Sequence, residues 1–397
     1  MSISRLKSYT ILWNLVIKDF RMSRYFVLAF ILMRAVGFSQ VQNLRNIPFN
    51  WKTDLTKHNI ELSEIKIAVP RNTFPIIDYP AFVGKEQGLA MFFNQEPVIA
   101  VEINGKAKAY SLNMLISHEI SNDTLNGVPI LPTYCPLCNS GIVYDRRIMV
   151  NDKNYLLEFE VSGMLRNSDM IMFDRTTESW WQQLMGSAIV GELTGAEMKI
   201  LPSLIISVEE FFNRYPKGQI LSKNTTNNSK SQYGKNPYEN YDKINSNPFA
   251  GYFNIEKMDK RLPPKERVID IFNDGDYKIY PFSVVAKKGV INDQFKTSNV
   301  VLFHHSGTVS VLGIKELTQS KNIGSVTVFN SEVNGNVLTF IKKEAYFVDK
   351  QTHSKWDNTG TCYEGELKGK QLKIEIHSNH FAFAWFAFHP NSVIYKD

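Results

Sequence analysis

Short runs of apolar and β-branched residues that end at Asn-Gly or Asp-Gly recur along the chain. Val98–Ile103 leads into Asn104-Gly105, and Val268–Phe272 leads into Asp274-Gly275. This pattern is typical of a strand that enters a tight hairpin turn. Helical periodicity is rarer, and its best example is the segment 204–214. The pattern predicts an α+β fold that is predominantly β.

The pattern also repeats, because two segments carry similar residues in the same order. Val98–Gly105 aligns with Val268–Gly275, and Asp174–Trp181 aligns with Asp349–Trp356. We therefore predict an internal duplication of one β-rich unit, in which the shared Asp…Trp block has a structural role. The predicted organisation is a signal peptide at 1–39, an N-terminal lead-in at 40–84, a first, site-bearing repeat at 85–221, a connector at 222–261 and a second, supporting repeat at 262–397.

Composition and charge narrow the classes of function. Lys and Arg number 45 against 39 Asp and Glu in 397 residues, and no block of basic residues stands out, so we expect no nucleic-acid partner. Three cysteines are too few for a scaffold built on disulfides. The connector is polar but rich in aromatic residues, which predicts that it packs onto the body of the protein.

The N-terminal region has the features of an export signal. A short basic stretch precedes the apolar run Phe26–Met33, and small residues follow at Gly37 and Ser39. This succession predicts a secretory signal peptide, with Met22 as a possible true start. We expect a periplasmic or extracellular protein, which contacts a membrane only if the segment stays uncleaved and tethers it.

The sequence Cys135-Pro-Leu-Cys138 occurs in the first repeat alone. Two cysteines at this spacing can place both sulfurs on one metal ion, and zinc and copper are the metals that such ligands favour. His118, also confined to the first repeat, is predicted as a third ligand. Four more residues are expected nearby: Glu119 and Met164 as supporting groups or additional ligands, and Arg146 and Arg166 as contacts for an anionic group. The segment 162–168, within a stretch that is longer in the first repeat, is predicted to form a loop over the site.

Two other interpretations stay open beside this metal-binding protein. Cys135 and Cys138 could exchange disulfides, but that chemistry favours a long helix opening at the first cysteine, whereas the residues after 141 predict a strand. The protein could instead be a non-catalytic scaffold that binds an unknown small molecule or partner protein. Since the sequence has no recognisable nucleophile–base motif or phosphate loop, it assigns no reaction.

Several spaced motifs resemble those of a known family. They are His118–Asp123, Thr133–Ser140 with Tyr144–Arg146, Ser162–Asp169, Asp174–Gln183 and Tyr233–Asp242. Together, from about Pro70 to the C-terminus, the chain resembles DUF3179, a bacterial and archaeal family of unknown function. The resemblance implies no activity or cofactor, but it implies that the Tyr-Gly-Lys-Asn-Pro-Tyr part of the connector is ordered.

Overall fold

Strands make up most of the regular structure in the computed structural model, which describes residues 51–225 and 233–396. The prediction of a predominantly β, α+β fold is confirmed. The predicted signal peptide lies outside the described residues. Within them, no helix is both long enough and apolar enough to span a bilayer.

The first predicted repeat and its lead-in contain strands β1 to β16 and three seven-residue helices. In chain order these elements are β1 (Ile65–Ile67), β2 (Ile77–Asp78), β3 (Phe82–Val83), α1 (Lys85–Met91), β4 (Pro97–Ile103), β5 (Lys106–Ser111), α2 (Leu112–His118), β6 (Ser121–Leu125), β7 (Val128–Cys135), β8 (Ser140–Asp145), β9 (Arg147–Val150), β10 (Lys153–Leu156), β11 (Phe159–Arg166), β12 (Asp169–Asp174), β13 (Trp180–Gln182), β14 (Ser187–Val190), β15 (Ser203–Ser207), α3 (Val208–Arg214) and β16 (Gln219–Leu221).

The second predicted repeat contains the remaining strands and α-helices. In chain order these are β17 (Arg267–Asn273), β18 (Asp276–Pro281), α4 (Phe282–Lys288), β19 (Val290–Phe295), β20 (Ser298–His305), β21 (Ser325–Asn330), β22 (Glu332–Val333), β23 (Asn336–Val337), β24 (Phe340–Lys342), β25 (Phe347–Asp349), β26 (Lys355–Trp356), β27 (Cys362–Glu364), β28 (Asn379–Phe381), α5 (Ala382–Phe388) and β29 (Val393–Ile394).

Corresponding strands form similar sheets in the two segments. The antiparallel hairpins β4–β5 and β17–β18 are each flanked by one antiparallel strand, β15 or β28, and by one parallel strand, β16 or β29. The meanders β6–β7–β8 and β19–β20–β21 come next, followed by the sheets β11 to β14 and β24 to β27. Strands β1, β2 and β3 of the lead-in each extend a sheet of the first segment by one strand. The shared order agrees with the repeats drawn from the sequence, while an origin by duplication stays a prediction.

Turn chemistry explains the hairpins. Asn104 and Gly105 have φ angles of 50° and 80°, the left-handed pair that a two-residue turn with the right twist requires. Asp274 and Gly275 adopt 48° and 81° in the corresponding turn. The polar turn residues therefore set the register in which the apolar residues of β4 and β17 become buried.

The aligned Asp…Trp block forms the same buried network in both segments, as expected for a structural role. Asp174 accepts hydrogen bonds from the backbone N–H of Thr177, at 2.6 Å, and from the indole N–H of Trp181, at 3.0 Å. The same contacts are made in the second segment by Asp349, Thr352 and Trp356. A buried carboxylate thus closes the turn and fixes the indole.

Two local predictions are corrected by the structure. The segment 204–214 is not one helix, because its first residues pair with β4 as β15 and the helix begins at Val208. Ser207 caps that helix, and the Glu210 side chain returns to the Ser207 backbone N–H in a capping box. The segment 162–168 is not a free loop either, because most of it belongs to β11 and a register shift lies between Val161 and Met164.

The two segments and the connector pack against one another. Glu210 at the start of α3 accepts hydrogen bonds from the side chains of His305, at 2.9 Å, and Ser325, at 2.9 Å, in the second segment. The connector buries Tyr238, Tyr241 and Phe253, which confirms the prediction that its aromatic residues pack onto the body. The connector and the second segment therefore pack directly against the first segment.

Candidate metal centre

The two predicted cysteines lie in the turn between β7 and β8. Cys135 ends β7 and pairs with Ser140, so that Pro136–Asn139 forms the connection. Asn139 has a φ of 50° and its side chain accepts a hydrogen bond from Tyr134 at 3.1 Å. The turn places Cys138 back beside Cys135. The strand predicted after residue 141 is confirmed, and no helix begins at either cysteine.

A second hairpin turn brings an acidic side chain to the cysteines. Asn167 and Ser168 have φ angles of 50° and 64° and form a two-residue turn between β11 and β12. The Ser168 carbonyl accepts a sulfur hydrogen bond from Cys135 at 3.7 Å. Asp169, the first residue of β12, is thereby held next to the sulfurs.

Cys135, Cys138 and Asp169 form a compact group of possible metal ligands. The two sulfurs and a carboxylate oxygen lie within 4.8 Å of one another, and in the described part of the chain this is the only such group of three or more His, Cys, Asp or Glu side chains. All three residues are at most 1 % exposed. Both cysteines are free thiols.

Burial controls the protonation of this group. It raises the pKa of both thiols, although a hydrogen bond from Cys138 to Cys135 opposes the rise at Cys135. Burial also raises the pKa of Asp169 to about 6, against the hydrogen bonds that its Oδ2 accepts from Leu184 and Gln182 and against one from the Cys138 thiol. Its other oxygen, Oδ1, is buried and accepts no N–H or O–H hydrogen bond. Without a cation, both thiols therefore keep their protons at neutral pH.

Glu119 lies close enough to the cluster to interact electrostatically with Asp169 and Cys135. It follows α2 with a φ of 58°, and its carbonyl accepts the backbone N–H of Tyr134, which ties it to β7. Burial, followed by the charge of Asp169, raises the pKa of its carboxyl group to about 8. Glu119 is thus a buried and largely neutral acid at neutral pH.

A buried lysine and a tyrosine lie on the other side of the turn. Lys265 is 1 % exposed, and its ammonium group donates to the Tyr241 carbonyl at 2.9 Å and lies over the Tyr241 ring. Burial lowers the pKa of Lys265 to about 7, while Cys138 and Asp242 oppose the change. The Tyr241 hydroxyl donates to the Leu137 carbonyl at 3.2 Å. The connector and the second segment therefore supply part of the site.

The structure leaves His118 outside the group of three ligands. Its Nδ1 lies 2.5 Å from the Pro75 carbonyl and its Nε2 lies 2.6 Å from the Tyr233 hydroxyl. Both ring nitrogens are therefore occupied, and neither is free to hold a metal in this arrangement. His118 instead ties the connector and the lead-in to the end of α2. Asp169 occupies the place that the sequence had suggested for His118.

The other predicted site residues have separate roles in the fold. Met164 is buried on β11 opposite Ile171. Arg146 is buried and donates to the carbonyls of Asp123, Ile130 and Leu157 at 2.8–3.1 Å. Arg166 pairs with Glu64 at 2.6 Å. Both guanidinium groups thus have partners within the protein, and the structure gives no support to their use as anion contacts.

Sequence reasoning missed Asp169 and Lys265. Asp169 directly follows the Asn167-Ser168 pair, and this turn signal before a strand could have located a carboxylate at the start of β12. No local signal marks Lys265, because only the packing of distant segments brings it to Cys138.

The family relationship of the chain follows from a comparison with protein-family models. The model of DUF3179, described as a protein of unknown function, matches residues 71–392. The chain belongs to this family. No match was found among curated proteins or among solved structures.

The DUF3179 match covers every residue of the cluster but assigns none of them a role. The chemistry of this DUF3179 protein must therefore come from its geometry. Two thiols and a carboxylate in a buried site can hold a soft or borderline cation, and two adjacent thiols can also form a disulfide.

Proposed function

We propose that this protein is an exported metal-binding protein that holds one ion between Cys135, Cys138 and Asp169. The observation that supports the proposal is the convergence of two sulfurs and a carboxylate oxygen within 4.8 Å of one another. Each ligand belongs to a hairpin rather than to a mobile tail, so the site is largely preorganised. Zinc and copper are the two metals to be considered.

The mixed ligand set favours zinc. Zinc accepts sulfur, nitrogen and carboxylate oxygen ligands in tetrahedral sites, whereas copper(I) favours sets made of soft sulfur ligands. The Asp169 Oδ1 atom accepts no N–H or O–H hydrogen bond in its buried position, and the weak thiol donor of Cys138 is the only group of the cluster that donates to this carboxyl group. A zinc ion would supply a partner for this oxygen and would replace the protons that burial keeps on the thiols.

Charge balance supports the same proposal. Zinc with two thiolates and one carboxylate has a net charge of −1. Lys265, buried beside Cys138, can supply the compensating positive charge. A metal-bound thiolate should in turn keep the Lys265 ammonium group protonated, since a nearby anion favours the charged form of an amine. The proposed centre is then electrically neutral in its low-dielectric surroundings.

Burial and local structure favour a metal over disulfide exchange. A dithiol that reacts with other proteins needs an accessible sulfur with a lowered pKa. Here both sulfurs are buried and burial raises the pKa of each thiol. A bound metal would also keep the two thiols reduced in the oxidising compartment to which the N-terminal signal is proposed to direct the protein.

Elemental analysis of the full chain tests the proposal. Protein purified from the export compartment should contain about one zinc or copper ion per chain, and Cys135→Ser and Cys138→Ser should each lose it. Cys362→Ser is the matched control, because Cys362 is also a buried free thiol but lies in β27, away from the cluster. Equal metal content in all four proteins, or a metal-free wild type with a reducible Cys135–Cys138 disulfide, would overturn the proposal.

A further inference from the structure

His380 lies on a strand that is bonded directly to the cysteine turn. It is the central residue of β28, which pairs with β17. The next residue, Phe381, donates its backbone N–H to the Cys138 carbonyl at 2.8 Å. His380 is only 1 % exposed. The hydrogen bond places its backbone next to one of the proposed ligands.

The two ring nitrogens of His380 have different surroundings. Nε2 lies 3.3 Å from a carboxylate oxygen of Asp270. Nδ1 is buried and has no hydrogen-bond partner. Histidines that bind metals commonly use one nitrogen as the ligand while a carboxylate holds the other, which fixes the tautomer. In His380 the nitrogen left without a partner is the one that such an arrangement would offer to a metal.

The proposed centre contains a second buried acceptor atom that receives no N–H or O–H hydrogen bond. Asp169 Oδ1 accepts no N–H or O–H hydrogen bond, although the Cys138 thiol donates to this carboxyl group. The side chains of His380 and Asp169 are close enough to interact electrostatically. A single cation bound at the cysteines would supply a partner to both the Asp169 oxygen and the His380 nitrogen.

We infer that His380 is the fourth ligand of the proposed metal ion, through Nδ1, with Asp270 as its positioning residue. The inference rests on the proposed function and completes its ligand set as two sulfurs, one oxygen and one nitrogen, the number that a tetrahedral zinc site requires. A neutral imidazole leaves the charge balance with Lys265 unchanged. His380 is not among the three residues already within 4.8 Å of one another, so the proposed coordination requires the imidazole ring to move towards them when the metal binds.

X-ray absorption of the zinc-loaded full chain tests the inference. The wild type should show two sulfur neighbours near 2.3 Å and nitrogen or oxygen neighbours near 2.0–2.1 Å, together with the outer-sphere scattering of one imidazole ring. His380→Gln should lose the imidazole scattering and bind zinc about 100-fold more weakly or worse. Asp270→Asn should keep the imidazole scattering and bind about 10–100-fold more weakly.

His389→Gln is the matched control. His389 packs against Trp385 with ring centroids 4.3 Å apart, and His380 packs against the same ring at 4.9 Å. The control should keep the wild-type affinity and scattering, which separates ligation from the loss of aromatic packing. Circular dichroism of each variant establishes that it is folded.

The outcomes distinguish this inference from the proposed function. If the wild type binds no zinc, the proposed function itself fails. If the wild type binds zinc through both cysteines but shows no imidazole scattering, His380 is not a ligand, whatever its variants do. Retention of full affinity and imidazole scattering by His380→Gln would also refute the inference while leaving the metal centre intact.

Discussion

Replacing Glu119 by glutamine should remove a large part of the pH dependence of the metal-free protein's stability. The ordinary pKa of this carboxyl group is 4.5, and burial raises it to about 8 in the folded state. Between these values the folded protein holds a proton that the unfolded chain has lost. The contribution of Glu119 to the stability of the folded protein is therefore fully present below pH 4.5 and is lost as the pH rises to 8. At ~1.4 kcal/mol per pH unit, the change amounts to about 5 kcal/mol.

Glutamine resembles the protonated acid but has no proton to lose. Glu119→Gln should match the wild type near pH 4.5 and be more stable near pH 8 by up to the same ~5 kcal/mol. Urea unfolding across this range, in the presence of a chelator, measures both free energies. Glu366→Gln, at an exposed position, is the control and should follow the wild type. A constant difference between Glu119→Gln and the wild type at every pH would refute the reasoning.

Three further predictions concern the fold. Asp174→Asn and Asp349→Asn should each lower the free energy of unfolding by about 3 kcal/mol in urea, because each removes the buried charged acceptor of an equivalent Trp–Thr network; a loss at one site alone would contradict their equivalence. Glu210→Gln should cost about 2–3 kcal/mol in the same assay, since this carboxylate joins the two segments, and an unchanged stability would contradict that role. Gly163→Ala should lower the melting temperature more than Gly127→Ala: both have positive φ, but only at Gly163 would a Cβ meet a backbone oxygen, at 2.2 Å. We expect a loss of about 3 kcal/mol in the free energy of unfolding for Gly163→Ala and of about 1 kcal/mol for Gly127→Ala. Equal losses would contradict the steric argument.

The parts of the fold that could be predicted from sequence are those governed by neighbouring residues. A turn such as Asn104-Gly105 requires positive φ angles that few residues adopt, so its sequence identifies it. The segment 204–214 shows the limit of this reasoning. Its apolar residues suit either a strand or a helix, and the Ser207–Glu210 capping box, which divides the segment into both, was not used in the prediction.

The site was only partly predictable, because some of its residues are close in sequence and others come from distant segments. Cys135 and Cys138 are close in sequence, so their pairing could be inferred from spacing alone. His118 was expected on the basis of proximity along the chain, but Pro75 and Tyr233 occupy its ring nitrogens. The carboxylate of the group comes from another hairpin. Such long-range assembly leaves no periodic pattern in the sequence.

The hydrogen bond between the Phe381 N–H and the Cys138 carbonyl has a consequence for how a metal would enter and leave. The cysteine turn precedes β28 in the chain, so a chain exported from its N-terminus would present the two thiols before that strand can dock beside them. Loading of the proposed ion would be easiest in that interval. After β28 has docked, release of the ion would require this strand to open. The rate of metal exchange should then follow the local unfolding of β28 rather than the intrinsic dissociation of the ligands.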